Sequence, residues 1–192
     1  MARGITITFN KSQLARARRL LKSIPGGLNR AVPAAINKTT RTAKVRTARA
    51  IGQVVNLKIN RIKRSIRTSR PASRGHWRRD VIVDESKRIP LAEFGARQNK
   101  KGVSYKIARN SPRTTIKYDK KTNPVFLKKL RTGHVGVFKR RTTSRLPIVE
   151  LRGPSIAAAY ETSRRQIRAV RIDTEKVFEK NLLSQVDRIL KK

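Results

Sequence analysis

The sequence predicts an α+β fold: long basic helices at the N-terminal end, a small antiparallel sheet in the centre, and a long C-terminal helix. Three observations carry that expectation. Apolar residues recur at helical spacing through residues 12–66, the period changes to two over residues 80–151, and neither Gly nor Pro occurs after Pro154.

Taken in order, residues 6–9 alternate polar and apolar and fit a short edge strand. Ser12 is placed as the N-cap of a short basic helix with Leu14, Ala17 and Leu21 at helical spacing, which Pro25-Gly26-Gly27 stops. A long helix is expected over residues 31–53. Val32, Ile36, Ala43, Ala50, Ile51 and Val54 share one face, Pro33 fits the first turn, and Lys38, Arg41, Lys44 and Arg49 cover the opposite face. Ile59, Ile62 and Ile66 mark a second amphipathic helix over residues 59–67, the most densely basic of all. Residues 69–76 mix chain breakers with Arg and read as a mobile loop. Together these segments form a basic helical region, residues 1–79.

The next region, residues 80–154, reads as an antiparallel sheet core. Its strand-like runs are residues 81–83, 103–107, 114–118, 135–138 and 148–151, separated by Gly, Pro or Asn. A short helix over 124–132 interrupts them, signalled by Asn123 as N-cap, Pro124 in the first turn and Gly133 past the end. Gly153-Pro154-Ser155 opens the last region, residues 155–192, as one helix or as two broken near Asp173. Ile156, Tyr160, Ile167, Val170, Val177, Leu182, Val186 and Ile189 form its apolar stripe. That stripe is longer than a small sheet could cover, so the segment is expected to dock on protein; the alternative is that it closes the core of its own chain. The whole is one domain with helical extensions.

Composition narrows the function. The 192 residues include 49 Lys or Arg against 11 Asp or Glu, a net +38. Hydrophobic residues make up 37%, below the ~45–50% of ordinary globular chains, so the core must be modest. Self-repulsion at this charge opposes compaction, which implies a polyanion or an assembly that spreads the charge. Residues 1–79 carry 21 basic and no acidic residues, whereas residues 173–192 hold four acids and five bases. This gradient suggests one end facing polyanion and the other facing protein.

Catalytic chemistry is poorly provided for. The absence of Cys excludes disulfides, thiolate catalysis and Cys-type zinc sites. No metal-ligand spacing, phosphate-binding loop, dinucleotide fingerprint or nucleophile elbow occurs, so no cofactor and no enzyme activity are expected. His76 and His134 read as surface residues. Glu93, among Leu91, Ala92 and Phe94, reads as a structural carboxylate paired with an Arg, and the adjacent Asp84 and Glu85 would point to opposite sides of any strand. No signal-peptide core and no run near ~18 apolar residues is present, so a cytoplasmically made, soluble product with no membrane association is expected.

Nucleic-acid binding needs only cations gathered on a face. Arg61, Lys63, Arg64, Arg67, Arg70, Arg74, Arg78 and Arg79 form one candidate cluster, with Trp77 able to stack on a base or a guanidinium. Lys139, Arg140, Arg141 and Arg145 form a second cluster, and Lys100 and Lys101 a third. Sparse aromatics and the absence of a reader motif argue against base-specific recognition.

Arg88-Ile89-Pro90-Leu91-Ala92-Glu93-Phe94-Gly95-Ala96-Arg97-Gln98, then Lys100-Lys101-Gly102-Val103-Ser104-Tyr105-Lys106-Ile107, Val137-Phe138-Lys139-Arg140 and the run from Arg145 to Ile156 (RLPIVELRGPSI) follow one another in characteristic order and spacing. In these segments the chain resembles the prophage minor tail protein Z family of lambda-like tailed phages. The resemblance implies a structural virion protein at the head-proximal end of the tail, made in the host cytoplasm, that completes the tail for joining to the head and helps seat the DNA end. It also implies a homo-oligomeric ring, a hexamer by resemblance, with phage tail and neck proteins as partners. It brings no catalytic residues. In the two longest motif segments the Pro and Gly residues suggest a rigid sheet edge and corner, with Leu91, Phe94, Leu146 and Ile148 in the core. The alternative is a sequence-nonspecific nucleic-acid-binding protein of ribosomal type, from which the nearly neutral C-terminal segment separates this chain.

Overall fold

The computed structural model describes residues 3–6, 11–83, 87–117, 124–142 and 144–191. The expectations placed on residues 7–9, Asp84, Glu85, Tyr118 and Asn123 lie outside them. The described residues form an α+β fold with three small antiparallel sheets rather than one. They divide into two compact units, one of Met1–Ala50, Lys63–Asp84 and Ser163–Lys192, the other of Ile51–Ile62 and Glu85–Thr162.

In the first unit, β1 (Arg3–Thr6), β3 (Asp80–Val83) and β2 (Ile66–Thr68) make an antiparallel sheet with β3 in the middle. Ile5 faces Val81 and Ile66 faces Val83 across the ladder, and all four side chains are buried. The edge strand of the described residues is 3–6, set by pairing with β3. The N-terminal helix α1 (Lys11–Leu20) forms where the sequence predicts one, but it starts at Lys11, so Ser12 lies inside its first turn rather than at the N-cap. The long helix α2 (Gly27–Val54) begins four residues earlier than expected and carries Pro33 in its second turn. Proline there removes one helical hydrogen bond. Burial of Ala31, Val32, Ala35 and Ile36, all fully excluded from solvent around it, holds the helix through that gap.

The core of this unit gathers Ala17 and Leu21, then Ala31, Val32, Ala35 and Ile36 of α2, Ala72, and Phe178, Leu182 and Val186 of α5 (Arg164–Leu190). Alanine on α2 lets the large side chains of α5 approach closely. Between these helices Asn181 donates a buried hydrogen bond of 3.0 Å to the Thr39 hydroxyl. Phe178, Leu182 and Val186 of the C-terminal segment thus sit in the core of the first unit, as the alternative reading of that segment has it, while Val177 and Ile189 are half-buried. The loop expected to be mobile is likewise pinned. Asn37 Nδ2 donates to the Ala72 carbonyl at 2.9 Å, the Ala72 N–H donates to Asn37 Oδ1 at 3.0 Å, and Ser73 and His76 exchange backbone hydrogen bonds.

α3 (Ile59–Arg64) ends before Ile66, which belongs to β2, so Arg67 stands on a strand and not on the basic helix. The C-terminal helices break at Ser163, between α4 (Ile156–Thr162) and α5, not near Asp173. Ser163 is fully buried with a non-helical backbone (φ −92°, ψ 21°), so tertiary packing sets the break without any Gly or Pro.

The second unit holds two sheets, β4 (Arg97–Asn99), β5 (Gly102–Tyr105) and β6 (Thr114–Lys117), then β7 (Val125–Lys129), β8 (Val135–Arg140) and β9 (Ile148–Glu150). β7 replaces the helix expected over 124–132. Its residues from Val125 to Lys129 pair with those from Lys139 back to Val135, and Gly133, at φ +83°, makes the turn rather than ending a helix. Non-local pairing overrides the local helix signals.

Asn56 ties segments of this unit together: its backbone N–H donates to Ile107 O at 2.7 Å, and its side-chain amide donates to the Phe94 and Lys106 carbonyls. The residues around Ile89 pair with those around Gly153. Gly153 donates to Ile89 O at 2.7 Å, Leu91 donates to Leu151 O at 3.0 Å, and Pro90 bridges Arg152. A Cβ on Gly153 would lie 2.7 Å from the fully buried Phe94 ring. Gly153→Ala is therefore expected to cost about 1–3 kcal/mol by overpacking, read as a lowered midpoint of thermal unfolding with tryptophan-independent far-UV detection.

Candidate nucleic-acid interface

Both units are strongly cationic. The first contains 28 basic and 6 acidic residues, a net +22, and the second 21 and 5, a net +16. Even with every acid paired once, 38 cations lack an acidic partner in the chain.

The first unit collects most of the leading cluster. Arg64 is exposed at the end of α3 and Lys63 beside it is half-buried. Arg67 lies exposed on the outer face of the β-sheet, opposite Ile82. Arg70 reaches His76 Nδ1 at 3.1 Å, and Arg74 is exposed. Arg74 also lines a 420 Å³ cleft with Pro25, Gly26, Asn29 and Arg30 at the start of α2, whose first turn carries no acid. The positive end of a helix dipole and two guanidinium groups there favour an anion.

In this unit Arg78 and Arg79 of the cluster are committed within the protein. Arg78 pairs with Asp80 at 3.2 Å. Arg79 donates to Ser69 O at 3.3 Å, to Asn37 Oδ1 at 3.0 Å and to Thr68 Oγ1 at 3.2 Å, clamping the strand ends to α2. Burial, and then the nearby Arg41, push the Arg79 guanidinium below its ordinary range. A guanidinium nevertheless remains a cation at neutral pH.

In the second unit Arg61 Nε meets Glu93 Oε2 at 2.9 Å, so Glu93 is the paired structural carboxylate its surroundings suggest and Arg61 is its partner. Lys100 and Lys101 are exposed on the β4–β5 turn. Lys139 is exposed on β8, while Arg140 lies 5.7 Å over the Phe126 ring with its Nε buried and without a hydrogen-bond partner among the described residues. Arg141, whose N–H donates to Pro147 O at 3.1 Å, and Arg145 are exposed in the loop to β9. Lys139, Arg140, Arg141 and Arg145 thus belong to one strand end and its loop; Arg61 falls in a different unit from the cluster in which the sequence placed it.

The histidines are not isolated. His134 Nε2 is 2.5 Å from Glu150 Oε1, and Arg152 binds the other carboxylate oxygen at 3.0 Å. The fold brings Glu150 to His134 through the β8–β9 ladder, which sequence separation concealed.

Sequence reasoning missed Arg18, Arg19, Lys22 and Arg30 as possible contacts. The first three line a 630 Å³ cleft with Leu14, Ala15 and Trp77. The four-residue spacing of Arg18 from Leu14 and of Arg19 from Ala15 was the available signal. Trp77 is half-buried against the core of the first unit rather than open for stacking, and its indole N–H is buried without a hydrogen-bond partner among the described residues.

The motif segments of the sequence meet in space: residues 88–98 hydrogen-bond residues 151–154, with Leu91 and Phe94 buried. Ile148 is half-buried, whereas Leu146 is 67% exposed and is not a core residue. A comparison across protein families matches residues 13–192 to Prophage minor tail protein Z (GPZ). The chain belongs to this family. A minor tail protein Z is a structural protein of the phage tail, which places this chain in the virion in association with other tail proteins and displaces the ribosomal-type alternative. No individual curated protein and no solved structure matches the chain. Among the described residues no helix is long and apolar enough to cross a membrane, and no group of three His, Cys, Asp or Glu is placed to hold a metal ion.

Proposed function

We propose that this minor tail protein acts at the head-proximal end of the tail as a homo-oligomeric ring, completing the tail for joining to the head, with its basic surface turned toward the DNA end. The observation that carries the reading is the family match over nearly the whole chain; the net +38 supports the DNA part of it. A ring of such subunits repels itself unless a polyanion or acidic neighbours offset the charge. Heterologous contacts that close into a ring also avoid the open filament such contacts otherwise build.

The exposed members of the candidate cluster, Arg64, Arg67, Arg70 and Arg74, and Arg30 at the start of α2 supply phosphate contacts without base reading. The role is structural rather than catalytic. Nuclease, ligase and ATPase assays with added Mg²⁺ are expected to stay at background; turnover abolished by one carboxylate substitution would contradict it. The decisive test is a phage lacking this protein. DNA-filled heads and separate, full-length tails should accumulate, and purified protein should restore joining in the mixed lysate. Normal joining without it would reject the placement, and electron microscopy of the purified protein tests the ring.

A further inference from the structure

We propose that the cleft between α1 and Trp77 receives an acidic amphipathic segment of a partner protein, one that presents apolar side chains flanked by carboxylates. The cleft encloses 630 Å³, within the ~300–1,000 Å³ typical of ligand clefts. On α1 Leu14 and Arg18 lie four apart in one row and Ala15 and Arg19 form the next, with Lys22 in the turn just past the helix. Residues at that spacing are neighbours on a helix face, so the groove is apolar at one end and cationic at the other. Trp77 forms its other wall, and the buried indole N–H has no acceptor among the described residues. Such a donor is left short of an oxygen partner.

Complementarity selects the occupant. Helix-dipole compensation explains Arg18 and Arg19 in the last turn of α1, but not the apolar end or Trp77 facing it. A second copy fits poorly, because the chain carries +38 and no acid among residues 1–79. A nucleic-acid strand fits less well than a peptide. Strand-tracking grooves distribute cations along the backbone and offer successive aromatic platforms, whereas here three cations crowd one end and a single aromatic is present. Apolar anchors flanked by charge follow the recognition logic of helix-in-groove and acidic-motif binding. This docking stands whether or not the basic surface meets DNA.

Trp77 is the sole tryptophan of the chain, so its emission reports on the cleft directly. The full chain is titrated with a synthetic helical peptide carrying Leu on one face and Glu on the other, with polyglutamate of equal charge, and with a single-stranded oligodeoxynucleotide of equal charge. The amphipathic peptide is expected to shift Trp77 emission and to bind at least about tenfold tighter than polyglutamate. Arg18→Gln with Arg19→Gln should weaken it by about tenfold or more while the variant still unfolds cooperatively at a slightly lowered midpoint, since both side chains are exposed and only their compensation of the helix dipole is lost. Should that double variant fail to fold, Ala15→Glu, at an exposed position, places a like charge in the groove and should weaken the peptide similarly. Equal binding of polyglutamate, a silent Trp77, or unimpaired binding by the folded variants overturns the proposal. So does an oligonucleotide response that the same substitutions abolish, which would assign the cleft to nucleic acid.

Discussion

Affinity of the full chain for double-stranded DNA is expected to fall roughly 10³–10⁵-fold between about 50 and 200 mM salt, the response of a protein that neutralises ~6–10 phosphates. Electrostatics without base contacts gives little sequence preference, so scrambled duplexes should bind alike. The informative variant is Arg64, Arg67, Arg70 and Arg74 changed together to Ala. All four are exposed in the first unit, and at ~0.9 per phosphate their loss should lower the slope of log affinity against log salt by about 3–4. Arg61 is left out because it holds Glu93 at 2.9 Å. Removing it would test a partly exposed ion pair, worth about 0–1 kcal/mol, together with the interface. An unchanged slope in the quadruple variant would move the contact to Lys100 and Lys101 or to the loop carrying Arg141 and Arg145.

The distinction between exposed and committed cations was beyond the sequence. Arg61, Arg78 and Arg79 look no different from Arg64 or Arg74 in a basic run, and only tertiary neighbours separate them. Arg78 takes Asp80 and Arg79 takes Asn37, Thr68 and Ser69. What the chain did disclose is governed by side-chain period. β3, β5, β6, β8 and β9 appear where alternation places them, and the buried face of α2 lies where Val32, Ile36 and Ile51 place it. Local signals failed where a distant partner decided. The sequence around Pro124 and Gly133 reads as a capped helix until Val125, Phe126 and Leu127 find Lys139, Phe138 and Val137 across a ladder. Ser163 breaks a helix that nothing nearby in the sequence interrupts.

Truncation after Arg171 is expected to abolish cooperative unfolding of the first unit. The removed segment carries Phe178, Leu182 and Val186, which are 0–2% exposed in the core shared with α1 and α2, and the Asn181 bond to Thr39. At ~1.5–3 kcal/mol for each fully buried apolar side chain, their joint loss rivals the ~5–15 kcal/mol by which a whole domain is stable. It also uncovers the Ala-rich face of α2. Phe178→Ala in the full chain is the graded version, expected to cost about 3–5 kcal/mol with the helix still present to retain its charges. Calorimetry of the two proteins separates the two roles the stripe could have. If the truncated chain still melts in one sharp transition, α5 is a docking arm after all and its burial in this unit contributes little. If Phe178→Ala alone lowers the midpoint steeply, the helix is the third wall of the core, and any partner of the C-terminal segment must use its outer face, where Ile172 and Leu190 are about half exposed.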